Sequence, residues 1–156
     1  MIFAQPNTPT SLLTEFYATT GKNHEIRRFK MFKRIDHVEI VTPDLERMLR
    51  FFVEILGFKM GDRMRIDRPP LQEIAYVELN GTVAELMSVK NPVPVSSEPW
   101  QVSYRMIALE VEDMNKAIEY LKSKGVDISW GPVTVGKSKR AEIKTPDGLS
   151  IELRQW

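Results

Sequence analysis

Two stretches of the chain carry the same order of apolar and polar positions although their residues otherwise differ. Residues 35–57 read IDHVEIVTPDLERMLRFFVEILG, and residues 104–125 read YRMIALEVEDMNKAIEYLKSKG. Each predicts a short strand that runs into an aspartate, Asp44 or Asp113, and then an amphipathic helix that stops at a glycine, Gly57 or Gly125. In the first copy Leu45, Met48, Leu49, Phe52 and Leu56 recur at helical spacing, with Pro43 expected at the first helical position. In the second copy Met114, Ala117, Ile118 and Leu121 do the same. His37 and Met106 occupy the same slot, each seven residues ahead of its aspartate. A repeated strand–helix unit points to duplication, and the slot where the copies disagree is where chemistry should be sought.

The residues that follow each copy extend the repeat. After Gly57 come FKMGDRMRID, LQEIAYVEL, the dipeptide Asn80-Gly81 and TVAELMSV. Asn-Gly between two alternating runs is a strong hairpin signal. After Gly125 come VDISW, GPVTVGKS, KRAEIKT, the turn Pro146-Asp147-Gly148 and LSIELRQ. Each half therefore reads as strand, helix and three further strands, a tandem βαβββ plan of the α+β class. A proline-rich segment, KNPVPVSSEPW at residues 90–100, separates module one (32–90) from module two (101–156). Residues 1–31 read as an appended arm, with Thr8 or Thr10 capping a short helix whose apolar stripe is Leu12, Leu13, Phe16 and Tyr17.

Because side chains alternate along a strand, parity sorts the faces. Allowing for a bulge, Ile35, Val38 and Ile40 are mostly expected under the first helix, which leaves His37, Glu39 and Val41 on the opposite face. In the last strand of module one Ala84 and Leu86 go under, leaving Val83, Glu85 and Met87 opposite. In module two Ile107, Leu109 and Val111, with Leu149, Ile151 and Leu153, go under the second helix. Met106, Ala108, Glu110, Ser150, Glu152 and Arg154 then face away. His37, Glu85, Met106 and Glu152 thus fall at matching places on the open faces of the two modules.

Composition narrows the remaining chemistry. Lys plus Arg (22) nearly balance Asp plus Glu (21), and the basic clusters Arg27-Arg28 and Lys137–Arg140 are short, so neither nucleic acid nor an anionic membrane is the expected partner. No apolar run is long enough to cross a bilayer, and the N-terminus is a poor signal peptide. The chain has no cysteine, which excludes disulfides, a thiolate nucleophile and zinc–sulfur ligation, and fits a reducing cytoplasm. There is no phosphate-cradling glycine loop. With two histidines, a Ser-His-Asp or Cys-His arrangement has no supporting motif.

The segments IDHVEIVTPDL, VAELMSV, MIALEVEDM and PDGLSIELRQ, spanning residues 32–156, resemble the vicinal oxygen chelate superfamily. That superfamily includes glyoxalase I, methylmalonyl-CoA epimerase, extradiol dioxygenases and bleomycin-binding proteins. The resemblance implies a curved, cup-shaped mixed sheet with the helices outside, a metal held by the first and last strands of each module, and a homodimer. It places His37, Glu85 and Glu152 as metal ligands, Glu85 and Glu152 as the groups that move a proton, and Met106, Met87 and Tyr104 in the substrate cup. Met106 departs from the glyoxalase I and epimerase pattern, which has a histidine there. A thioether is a soft, neutral ligand, whereas divalent Zn, Ni, Co, Mn or Mg prefers imidazole and carboxylate. His37, Glu85 and Glu152 would still offer one nitrogen and two carboxylates, with open positions for substrate.

Two functions follow from the resemblance. The first is a metal-dependent lyase or isomerase that moves a proton alpha to a carbonyl of a small molecule. Extradiol ring cleavage fits less well, because its iron triad needs two histidines. The second is a metal-free small-molecule or antibiotic-binding protein, in which Met106 is an apolar wall. Glu39 and Glu110 are expected on a solvated rim, His24 on the surface, and Glu142 in a cross-strand charge ladder with Arg140 and Lys144.

Overall fold

The structure is a computed structural model, and it describes residues 34–96, 98, 100 and 105–156. The N-terminal arm and Tyr104 lie outside the described residues. The chain divides into a unit Met1–Arg34 and a compact unit Ile35–Trp156.

Within the second unit the βαβββ plan occurs twice. Module one contains β1 (Val38–Thr42), α1 (Leu45–Leu49) continued by a π-helical segment (Arg50–Ile55), β2 (Lys59–Arg68), β3 (Leu71–Leu79) and β4 (Thr82–Val89). Module two contains β5 (Ile107–Glu110), α2 (Met114–Ser123), β6 (Ile128–Val135), β7 (Ser138–Lys144) and β8 (Ser150–Gln155). Each module forms its own four-stranded sheet, in the orders β1-β4-β3-β2 and β5-β8-β7-β6. The first strand pairs in parallel with the last, and the other pairs are antiparallel. The tandem βαβββ plan expected from the sequence is thus present, and each mixed sheet has its first strand, β1 or β5, at an outer edge.

Local chemistry explains the elements. Asp44 and Asp113 cap the two helices: Asp44 accepts a bond from the Arg47 N–H (3.0 Å), and Asp113 accepts bonds from Asn115 (2.9 Å) and Lys116 (3.1 Å). Pro43 consequently precedes the cap and is not the first helical residue. Asn80 and Gly81 both have positive φ (48° and 83°), as a two-residue hairpin turn of the primed type needs. That turn sets the β3–β4 register, pairing Leu79 with Thr82 and Tyr76 with Glu85.

One predicted helix departs from regular α geometry. The Leu56 N–H bonds back to the Phe51 carbonyl at 3.0 Å, the longer repeat of a π turn. The extra residue rotates the following side chains, so Phe51 is buried together with Phe52, and Leu56 is only half-buried.

A single apolar core serves both modules. Met48, Phe52, Val77, Leu86, Met114, Ile143 and Ile151 all belong to it. Polar contacts also join the modules. The Tyr120 hydroxyl on α2 donates to the Ile55 carbonyl (3.1 Å), and Asp147 in the β7–β8 turn accepts from the Thr42 hydroxyl and pairs with Arg47. Parity holds for Ile40, Ala84, Leu86, Ile151 and Leu153, which are buried. It fails for Ile35, which is 84% exposed because it precedes β1 and no strand holds it against the helix.

Candidate metal site

His37, just ahead of β1, is the site's only imidazole, and its ring is held from three sides. Nδ1 lies 3.1 Å from Asp36 Oδ2, while Nε2 lies 3.3 Å from Glu85 Oε2 and 3.7 Å from Glu39 Oε1. The bond to Asp36 is the main influence that raises the His37 pKa above its ordinary value; partial burial opposes it, and the charge of Glu85 and the approach of the Glu39 carboxylate to the ring reinforce it. The Tyr76 ring meets the imidazole edge to face, with centroids 6.1 Å apart and an interplanar angle of 83°.

Glu85 is the buried member of the group, at 7% exposure. It sits mid-strand on β4 between two neighbours on the same face: Glu39 is its partner on β1, and Tyr76 its partner on β3. Glu85 is the first cause of the raised Tyr76 pKa, with burial second. A carboxylate this buried needs such partners, because an isolated charge in an apolar interior is costly.

Among the described residues, His37, Glu39 and Glu85 place ligand atoms within 4.8 Å of one another. One imidazole nitrogen and two carboxylate oxygens form a donor set that suits a borderline or hard divalent cation. The residues therefore fit the metal that the resemblance implies.

The other expected site residues are not members of this cluster. Glu152, on β8, is half-buried with Oε1 3.0 Å from Arg154 Nε, and its strand partners are Ala108 and Glu142. Met106 is half-buried, and its sulfur lies 3.2 Å from Arg105 Nη1. Arg105 also approaches Glu142 (3.4 Å) and lies over the Trp100 ring (4.9 Å). Glu142 thus meets Arg105 as well as facing Glu152, which is more specific than the expected ladder with Arg140 and Lys144. Met87 is half-buried beside Glu85 on β4, one position along the same face.

Glu39, expected on a solvated rim, is exposed and still shares the face of His37, as parity requires. Tyr76 is absent from the expected site residues, although the Asn80-Gly81 turn fixes it opposite Glu85 by counting back along β3. A cleft of about 520 Å³ runs beside β1 and is lined by Glu39, Val41, Arg47, Pro94, Pro146 and Leu149 among others. Its lining includes Glu39 but neither His37 nor Glu85.

The model of the Glyoxalase/Bleomycin resistance protein/Dioxygenase superfamily matches residues 34–153. An uncharacterized protein of Bacillus subtilis is 31% identical over 128 residues, covering 79% of this chain and 97% of that protein. A lactoylglutathione lyase of Arabidopsis thaliana is 30% identical over 129 residues, which is 79% of this chain but 44% of that enzyme. Among solved structures, a glyoxalase family protein from Enterococcus faecalis superimposes with a TM-score of 0.70 at 25% identity, covering 79% of this chain and 98% of that one.

Proposed function

The chain belongs to the glyoxalase/bleomycin resistance protein/dioxygenase superfamily, and from that premise we propose that it is a metal-dependent lyase or isomerase moving a proton alpha to a carbonyl of a small-molecule substrate. The observation that carries this reading is the buried carboxylate of Glu85, 3.3 Å from the His37 imidazole on the open face of module one. His37 and Glu85 would hold a divalent cation, with Glu152 as a further ligand. When bound, the cation supplies a Lewis acid that polarises the substrate carbonyl and makes the adjacent C–H more acidic. Glu85 or Glu152 would take that proton and return it to the neighbouring atom. Met87, Met106 and Tyr104 would contact the apolar part of the substrate.

Within one chain Glu152 stands in the other sheet, and the edges of the two sheets suggest how it reaches the site. Among the described residues β1 and β5 are hydrogen-bonded on one side only, and open edges of this kind invite pairing with another chain. Val41 on β1 is 50% exposed, and the apolar cleft runs beside it. In a homodimer, β5 of one copy would lie beside β1 of the other and bring the partner's second-module face to His37. Light scattering on the purified chain tests the dimer.

The reaction is tested by NMR, following solvent-deuterium exchange at the carbon beside the carbonyl. Lactoylglutathione is the first compound, because the Arabidopsis relative is a lyase named for it, and small 2-oxo acids and thioesters follow. Exchange that needs divalent metal and is lost in His37→Ala supports the proposal. No exchange in metal-replete protein across the panel rejects it.

The Met106 environment favours a second reading, a metal-free binding protein. Arg105 sits against the Met106 sulfur, and Arg154 lies over the Trp156 ring at 4.8 Å. Guanidinium and indole groups suit an anionic or aromatic ligand better than a cation. Elemental analysis of protein purified without chelator separates the two readings: stoichiometric divalent metal that disappears in His37→Ala supports the enzyme.

A further inference from the structure

We propose that Glu39 is a metal ligand that replaces the imidazole missing at Met106, so that His37, Glu39 and Glu85 of module one grip the cation together. This rests on the metal-dependent reading above and assigns its coordination. The first support is spacing. Donor atoms each about 2.1 Å from one cation stand roughly 3.0–3.5 Å apart at octahedral or tetrahedral angles. The separations from His37 Nε2 to Glu85 Oε2 (3.3 Å) and to Glu39 Oε1 (3.7 Å) match that requirement with only a small side-chain adjustment.

The second support is the strand register. Glu39 and Glu85 are directly opposite partners on adjacent parallel strands. Like charges placed so are destabilising unless a cation lies between them. His37 is the nearby group that partly serves this purpose, and a divalent ion would do so more fully.

Module two shows the contrast. It has its own pair of facing carboxylates, Glu142 and Glu152, on β7 and β8. There Arg105 approaches Glu142 and Arg154 approaches Glu152, so guanidinium groups supply the positive charge. Arg105 also covers the Met106 sulfur, which puts a fixed cation where the repeat would otherwise offer a ligand. The two modules have thus diverged: module two neutralises its carboxylates internally, and module one keeps carboxylates facing an imidazole and a phenol.

Isothermal titration of metal-stripped full-length protein with Zn²⁺ and Ni²⁺ tests the assignment, together with the visible spectrum of the Co²⁺ form. Glu39→Gln is expected to weaken binding at least about 10-fold, since even outer-shell changes cost that much, and to alter the Co²⁺ ligand-field bands. A Glu39→Gln protein with wild-type affinity and an unchanged Co²⁺ spectrum, while His37→Ala abolishes binding, overturns the role of Glu39 and leaves the metal-dependent reading standing. A wild-type protein that takes up no metal overturns both.

Discussion

Tyr76 and Glu85 face each other across β3 and β4, and the buried carboxylate raises the pKa of the phenol. The same ring packs edge-on against His37. One side chain therefore adjoins both the nitrogen and the oxygen donor of the candidate site, the place of an outer-shell group in metal proteins. Tyr76→Phe keeps the ring contact and removes the hydroxyl. Divalent-metal affinity measured by titration calorimetry should fall about 10-fold, and the effect should vanish in a Glu85→Gln background. An equal loss in both backgrounds would show that the hydroxyl does not act through Glu85.

Leu86 neighbours Glu85 on β4 but points into the core, where it is 0% exposed. Leu86→Ala should destabilise the protein by about 2–5 kcal/mol through lost transfer energy and a residual cavity. Urea unfolding followed by circular dichroism reads the change, and a loss under 1 kcal/mol would mean that the surrounding core collapses into the space.

Asp147 joins the modules by accepting from the buried Thr42 hydroxyl and pairing with Arg47. Asp147→Ala leaves Thr42 without that acceptor, and an unsatisfied buried hydroxyl costs about 1–3 kcal/mol. Thermal unfolding should show the loss, and Thr42→Val in the same background should recover part of it.

Asp113 has its pKa lowered, first by the Lys116 backbone N–H and then by that of Asn115. A depressed carboxylate contributes stability that is fully present above the unfolded pKa and disappears as pH falls through the lower folded value. Asp113→Ala should lower the thermal midpoint by about 2–4 °C at neutral pH. The gap between wild type and variant should close below the ordinary Asp value of 3.8. A gap that persists at pH 2 would assign the effect to something other than the ionised cap.

Gly131 has φ of +81°, and a Cβ there would come within 2.6 Å of the Arg140 carbonyl oxygen. Gly131→Ala combines a disfavoured backbone region with a collision against backbone, so a loss of about 1–3 kcal/mol or more is expected. An unchanged unfolding midpoint would contradict the β6–β7 geometry.

The chain by itself determined what neighbouring residues enforce. The repeat, the β3–β4 register and the placing of His37 and Glu85 on one face follow from helical period, strand parity and a two-residue turn. Each of these acts over a few residues, so each leaves a local pattern. The π segment was less legible, because Phe51 and Phe52 are both apolar and either could continue the stripe. Tertiary structure decided the rest. It set Glu39 opposite Glu85 across parallel strands far apart in sequence and placed Glu152 beside Arg154. Those outcomes depend on how two modules bury one shared core, and that packing has no short-range signature.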